Sequence, residues 1–303
     1  MNQVTNARIF DSDRQGENIK GQEQRETDPG MCREVTSGVY CLETGKGINR
    51  SNVYFVQSGA SWVLIDTASV NCGRLIRKVA ESLFGANTRP ASILLTHVHP
   101  DHAGSALELA HMWDCRVYMH PDELPLAIIR DLSTVEKYAN PLDHWMILPL
   151  LRLMPRQKVE SMLVKTGLKD VAQGLVPGAS LPNLPDWECI PTPGHTPGHV
   201  AFFRPNDRLL ISGDAIVTVD LNSFWGFLMW GLQINKQRVS GPPRYSTWNW
   251  QMAKEAVTIL AELEPRMLAS GHGWPMSGDE IAQELHAFAD YFSTPATKKH
   301  TKA

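Results

Sequence analysis

The stretch THVHPDHAG, residues 96–104, holds four side chains that commonly bind metal ions: His97, His99, Asp101 and His102. In an extended segment His97 and His99 project to the same side, a spacing that lets two imidazoles bind one ion. Pro100 bends the chain and can direct Asp101 and His102 towards a second point. Four adjacent residues rarely satisfy one tetrahedral ion without strain, so two arrangements remain open. Either one ion takes His97 and His99 and recruits a distant ligand, or two ions share the loop.

Three segments further along the chain offer such distant ligands. TPGHTPGHV places His195 and His199 in a turn rich in proline and glycine. SGDA places Asp214 at the end of an apolar strand, and SGHG places His272 between two glycines. Asp66 likewise ends the apolar run WVLI. Because buried strands of an α/β protein end at a common edge of the sheet, we expect these side chains to converge there.

The spacing of apolar residues predicts an α/β fold in which short strands alternate with amphipathic helices. We expect one folded domain over 32–293, preceded by a flexible polar tail, 1–31, and followed by a short C-terminal tail, 294–303. Between about 121 and 180 the sequence looks helical, is interrupted by prolines and shows no strand signal. We therefore predict a helical insertion there, and an apolar lid segment over about 219–246.

Composition excludes several classes of protein. The net charge is −3 with a sequence pI near 6.4, so nothing indicates a surface for nucleic acid. The five cysteines are scattered without CxxC spacing, which argues against a disulfide framework and favours a reducing, cytoplasmic compartment. The first thirty residues lack the apolar stretch of a signal peptide, and no run of apolar residues is long enough to predict a transmembrane segment.

Taken together, THVHPDH, PGHTPGH, SGD and SGHG resemble the motifs of the metallo-β-lactamase fold superfamily, in that family's order. The resemblance covers residues of roughly 35–292 and is closest to the glyoxalase II and lactonase branches, which share an aspartate in the place of Asp214. It implies a four-layer αββα sandwich, with the helical insertion covering a metal site.

Carried over to this sequence, the family pattern implies two divalent metal ions, zinc foremost, with iron or manganese also suited to imidazole and carboxylate ligands. The implied ligands are His97, His99 and His195 for the first ion, Asp101, His102 and His272 for the second, and Asp214 as a bridge. Asp101 would also act in catalysis by orienting a metal-bridging hydroxide and taking up a proton for the leaving group. Asp66 and Thr96 would orient ligand imidazoles through hydrogen bonds, while His199 would either do the same or cap its turn.

The resemblance implies a binuclear hydrolase that cleaves an ester, thioester or lactone bond by attack of the bridging hydroxide. Two departures bear on the substrate. Val217 stands where lactonases of this kind often carry tyrosine, and 277–292 holds no Lys or Arg of the kind that would bind glutathione. Typical lactonase substrates and glutathione thioesters are both disfavoured.

Two segments, 144–155 and 223–232, concentrate Trp, Met, Leu and Phe. They either pack on each other as part of a larger core, form an apolar lid over the metal site, or make a dimer or membrane-surface contact. The lid interpretation predicts a partly lipophilic small-molecule substrate with an acyl group. The interpretation as a contact surface is compatible with a homodimer.

Two other functions remain open. A persulfide-dioxygenase-like enzyme with one iron would leave Asp101, His102 and His272 without a metal, so the complete second set disfavours it. A non-catalytic metal-binding scaffold is the other alternative, and the full set of ligand-type residues argues against a dead site.

Overall fold

The computed structural model describes residues 32–128, 132–176 and 179–294. The predicted N-terminal tail, 1–31, and all but the first residue of the predicted C-terminal tail lie outside these ranges. Seven strands form the first sheet in sequence order. The first four pair antiparallel with their neighbours, and the fourth to the seventh run parallel to one another. They are β1 (Cys32–Thr36), β2 (Val39–Thr44), β3 (Ser51–Ser58), β4 (Ser61–Ile65), β5 (Ser92–Leu94), β6 (Val117–Met119) and β7 (Ala172–Gly174).

A second sheet has five strands in the order β12-β11-β10-β9-β8, and within it only β10 and β11 run parallel. The strands are β8 (Glu188–Pro191), β9 (Val200–Arg204), β10 (Leu209–Gly213), β11 (Met267–Ser270) and β12 (Met276–Ser277). The C-terminal ends of parallel neighbours lie on the same side of a sheet. The C-terminal ends of β4, β5 and β6 therefore lie together, as do those of β10 and β11.

Helices lie between and beside these strands. They are α1 (Gly73–Phe84), α2 (Pro100–Ala103), α3 (Ala106–Trp113), α4 (Leu124–Ala127), α5 (Leu132–Lys137), α6 (Leu148–Arg152), α7 (Arg156–Thr166), α8 (Phe224–Gly231), α9 (Trp250–Glu262) and α10 (Ile281–Ser293). Shorter turns of helix cover Gly47–Asn49, Pro121–Glu123 and Arg244–Ser246, and a π-helical turn covers Asp143–Ile147.

The alternation of side chains along each strand builds the four predicted layers. On β3, Phe55 faces the helices α1 and α3, whereas Val56 faces the second sheet and packs with Phe202. On the far side, Leu210 of the second sheet packs against α9 and α10, for example against Leu260. Each sheet therefore buries both faces, and the predicted αββα sandwich is confirmed.

The prediction of a strand-free insertion between 121 and 180 was wrong in one place. Ala172–Gly174 forms β7, which pairs in parallel with β6 at the edge of the first sheet. The sequence AQG has no strand propensity of its own, and the hydrogen-bonding edge of β6 recruits it. Helices and helical turns occupy much of the insertion before that strand.

Candidate metal centre

The strand ends bring the seven predicted ligands into one cluster. Their ligand atoms form three groups, in each of which the atoms lie within 4.8 Å of one another. The groups are His97 with His99 and His195, His97 with His102 and Asp214, and Asp101 with His102 and His272. Because the groups share His97 and His102, they form a single continuous centre rather than separate sites. The roles of these residues as ligands remain a prediction.

A chain of hydrogen bonds orients His97. Both carboxylate oxygens of Asp66 accept from Thr96, one from the backbone N–H and the other from the hydroxyl, each at 2.8 Å. The hydroxyl hydrogen is thereby used, so Oγ1 of Thr96 accepts from Nδ1 of His97 at 3.0 Å. This hydrogen bond keeps the imidazole proton of His97 on Nδ1. The lone pair of Nε2 is therefore available at the centre.

Two further imidazoles are oriented in the same manner. Nδ1 of His102 donates to Oδ2 of Asp66 at 2.8 Å, and Nδ1 of His272 donates to the carbonyl oxygen of Arg50 at 2.6 Å. Both rings present Nε2 to Asp214, at 3.4 Å and 3.2 Å. The predicted orienting role of Asp66 thus corresponds to two hydrogen-bonded connections in the structure, a direct one to His102 and one through Thr96 to His97.

His195 is held by a residue that the motifs do not include. Its Nδ1 donates to Oγ1 of Thr247 at 3.2 Å, and that hydroxyl donates to the carbonyl oxygen of Pro243 at 2.7 Å. Nε2 of His195 lies 3.4 Å from Oδ2 of Asp214. Nothing local in the sequence marks Thr247, because it comes 52 residues after the histidine that it orients.

The unpaired atoms of the centre fit divalent metal ions. The Nε2 atoms of His97, His102 and His195 and Oδ1 of Asp214 are buried without a hydrogen-bond partner among the described residues. Lone pairs on nitrogen and carboxylate oxygen repel each other at these separations unless a cation or a proton lies between them. Neutral imidazole and carboxylate are the ligands that zinc, iron and manganese accept.

The pKa values of the histidines divide them into two kinds. Burial lowers the pKa of His97 and His195 well below its usual range, so both rings are neutral, as metal ligation requires. Burial also acts to lower the pKa of His102 and His272, but neighbouring carboxylates, Asp214 foremost, outweigh it. They raise the pKa of His272 to about 10 and that of His102 well above its usual value. A cation that binds here displaces those protons.

His199 contacts the centre through the backbone. Its Nε2 accepts from the N–H of Asp214 at 3.0 Å, and Nδ1 lies 2.7 Å from Oγ1 of Thr192. Burial lowers the pKa of His199 to about 3, so the ring is a neutral acceptor. Both ring nitrogens are used, which places His199 as a support for Asp214 rather than as a ligand.

Glu123 is a second residue of the site, after Thr247, that sequence reasoning missed. It is fully buried, and its carboxylate accepts from the N–H of Val98 at 2.9 Å and from the N–H of Gly198 at 2.8 Å. Val98 lies between His97 and His99, so one carboxylate ties both histidine loops together. Burial raises the pKa of Glu123, and the side chain of Thr196 and the two backbone N–H donors oppose that shift. Glu123 follows β6 closely, as Asp66 follows β4, and this position after a buried strand could have marked it as a site residue.

A cavity of about 640 Å³ opens onto the centre. Its polar lining includes His99, Asp101, Asp143, Asp214 and His272. Its apolar lining comes from Ile48, Leu142, Met146, Ile147, Phe227 and Tyr245. Neither Lys nor Arg is among the described residues that line it. The cavity is therefore apolar on its walls and acidic at the metal-ligand end.

Residues 47–272 match the family model of the metallo-beta-lactamase superfamily, and the chain belongs to that superfamily. It is 34% identical over 271 residues to a probable metallo-hydrolase, YflN, of Bacillus subtilis, covering 88% of this chain and 95% of that one. The hydroxyacylglutathione hydrolase of Bdellovibrio bacteriovorus is 27% identical over 205 residues, covering 65% of this chain and 61% of that one. These relatives support a hydrolase in general.

The solved structures show the same fold. The metallo-beta-lactamase family protein TTHA1429 of Thermus thermophilus superposes with a TM-score of 0.55 at 22% identity, covering 85% of this chain and 80% of that one. Within the described ranges, no helix has both the length and the apolar character needed to cross a bilayer.

Proposed function

We propose that this protein is a binuclear metal-dependent hydrolase that cleaves an ester, thioester or lactone bond. The observation that carries the proposal is the set of buried, unpaired nitrogen and oxygen atoms that meet at Asp214 beside an apolar cavity. In this proposal His97, His99 and His195 hold one divalent ion, and Asp101, His102 and His272 hold the other. Zinc is the expected metal, with iron or manganese suited to the same ligands.

The position of Asp214 between the two sets of proposed ligands supports its proposed role as a bridge. Its Oδ1 lies 3.4 Å from Nε2 of His102, and its Oδ2 lies 3.4 Å from Nε2 of His195 and 3.2 Å from Nε2 of His272. Each group of imidazoles therefore faces a carboxylate oxygen. A shared carboxylate offsets the repulsion between two neighbouring dications.

The position of Asp101 at the cavity supports its proposed role as the group that carries a proton. Its side chain is 35% exposed and lines the cavity, whereas that of Asp214 is 3% exposed. Oδ2 of Asp101 lies 3.3 Å from Nε2 of His272, which fixes the carboxylate at the mouth of the centre. When bound, two divalent ions supply Lewis acidity and lower the pKa of water towards neutrality. Asp101 then holds the proton that a departing alkoxide or thiolate requires.

The cavity sets the class of substrate. Its walls, among them Met146 and Phe227, favour an apolar acyl group, and methionine adapts to chains of different shape. Among the described residues that line it there is neither Lys nor Arg, so no basic side chain is available to pair with the carboxylates of a substrate such as a glutathione conjugate. Glutathione thioesters are therefore disfavoured, and a neutral, partly lipophilic small molecule fits best.

The test combines metal analysis with a hydrolysis panel. Purified protein is stripped with a chelator, reloaded with zinc, iron or manganese, and assayed on esters, thioesters and lactones of increasing acyl length. We expect about two ions per chain, loss of hydrolysis on chelation and its return on reloading. His99→Ala should abolish hydrolysis, whereas His286→Ala, at an exposed position of α10, should leave it intact.

Hydrolysis that persists after complete chelation would refute the mechanism. One iron per chain with oxygen uptake on a persulfide would instead support the dioxygenase alternative. Bound metal without turnover on any member of the panel would support the non-catalytic scaffold.

A further inference from the structure

Two segments next to the cavity expose large apolar side chains. Trp145 is 83% exposed and Phe224 is 75% exposed, although apolar residues of this size are normally buried. We call the exposed set the apolar rim: Trp145, Met146, Leu150 and Leu153 on the first segment, and Phe224, Trp225, Leu232 and Ile234 on the second. The sequence also allowed both segments to pack as part of a core. Only other residues of these segments, such as Leu148, Leu151 and Trp230, are buried in that way.

The apolar rim adjoins the mouth of the cavity on both segments. Met146 belongs to the rim and also lines the cavity, and Ile147 lines it next to that residue. Phe227, one helical turn after Phe224 on α8, lines the cavity from the second segment. A surface that covers the rim would therefore face the entrance to the metal centre.

The charges around the apolar rim differ from those of the whole chain. Segments 46–50, 142–158 and 219–246 hold eight basic and two acidic residues, in a chain whose net charge is −3. Seven of the basic residues are exposed: Lys46, Arg152, Arg156, Lys158, Lys236, Arg238 and Arg244. Both acidic residues accept local hydrogen bonds, Asp143 from the backbone N–H of Asn140 and Asp220 from Asn222 and Ser223.

Several of these basic residues are free to meet an external anion. Arg152 pairs with Glu136 and Arg156 pairs with Glu160, each at 2.8 Å, and Arg238 lies 3.8 Å from Asp220. Lys46, Lys158 and Lys236, in contrast, have no acidic partner among the side chains that the structure describes. The rim is thus bordered by uncompensated positive charge.

Tryptophan and phenylalanine next to lysine and arginine are typical of a protein face that lies on an anionic lipid surface. We propose that the apolar rim docks on such a lipid surface, with the mouth of the cavity turned towards it. Self-association through the rim is disfavoured because a two-fold contact would bring the unpaired lysines of one copy, Lys46, Lys158 and Lys236, towards the same basic face of the other. The proposal goes beyond the proposed hydrolysis, since docking requires no turnover.

The test measures co-sedimentation of the protein with vesicles of phosphatidylcholine alone and of phosphatidylcholine mixed with phosphatidylglycerol. We expect binding to the mixed vesicles, weakened by salt, and little binding to the neutral ones. The double variant Trp145→Ser/Trp225→Ser should lose binding by about tenfold or more. Ile259→Ala, which shortens an exposed apolar side chain on α9, is the matched control and should bind as the wild type does.

Vesicle binding is also measured with His99→Ala, which should bind normally, so that failure of the proposed hydrolysis does not count against docking. Absence of binding to anionic vesicles would overturn the proposal, as would unchanged binding by the double tryptophan variant. A rim-dependent dimer in light scattering, together with no vesicle binding, would assign the rim to a second copy of the chain instead.

Discussion

Replacing Glu123 tests whether one buried carboxylate holds the two histidine loops in register. Its oxygens accept from the N–H groups of Val98 and Gly198 at 2.9 Å and 2.8 Å, and the side chain is fully buried. In Glu123→Gln the amide keeps one acceptor and turns its NH2 group towards the other donor. One buried N–H is left unsatisfied, which costs about 1–3 kcal/mol of the free energy of unfolding. Glu123→Ala removes both acceptors, so the cost rises to about 2–6 kcal/mol.

The same change should weaken metal binding. Val98 and Gly198 each lie within three residues of a predicted ligand, so loss of the tie lets the two loops move apart. Changes in groups that orient ligands typically lower metal affinity by about 10–100-fold, and we expect a loss in that range for Glu123→Gln. Stability is measured by urea unfolding of the metal-free protein, and affinity by zinc competition with a chromophoric chelator.

Asp122→Asn is the matched control, because Asp122 lies in the same turn with its side chain 67% exposed. It should change the free energy of unfolding by no more than about 0.5 kcal/mol. If Glu123→Gln were as stable as this control and bound zinc equally well, the inference that Glu123 ties the loops would be refuted.

Three further predictions concern Asp66, Trp230 and Cys115. Asp66→Asn should lower zinc affinity by about 10–100-fold, since the amide cannot accept from every donor that the carboxylate serves; equal affinity in the chelator competition would contradict this. Trp230→Ala should cost about 3–5 kcal/mol of unfolding free energy, because the ring is buried and stacks 3.5 Å from the Arg50 guanidinium. The neighbouring exposed Trp225→Ala should cost at most about 0.5 kcal/mol in the same urea titration. Burial raises the pKa of Cys115 to about 11, so native protein at neutral pH should alkylate there about 100-fold more slowly than a free thiol, as mass spectrometry would show.

The ligand cluster was accessible from the sequence because strand periodicity and motif order are local signals. Apolar runs that end at Asp66 and Asp214 predict buried strands with polar side chains at their ends. The structure brings both residues to the loop histidines although they follow strands of different sheets, which the sequence did not indicate. The four-layer order was implied by the resemblance of the motifs to the metallo-β-lactamase superfamily, because alternation along a strand does not identify the layer that each face meets.

Other features were not accessible because they depend on contacts between distant segments. Thr247 and Glu123 are ordinary residues until the fold places them against His195 and the histidine loops. β7 has no strand propensity and exists because β6 offers an edge. The exposure of Trp145 likewise could not be predicted, since composition does not tell a covered apolar segment from an uncovered one.

The sequence by itself determined the fold class and the chemical character of the centre, because both depend on residue type and on spacing along the chain. Only the tertiary structure decided which nitrogen of His102, His195 and His272 faces Asp214, since a hydrogen bond that Nδ1 donates to a distant partner sets that choice. It also decided that the basic, aromatic segments lie uncovered beside the cavity. Burial and hydrogen-bond partners belong to the whole fold, and no local window of sequence contains them.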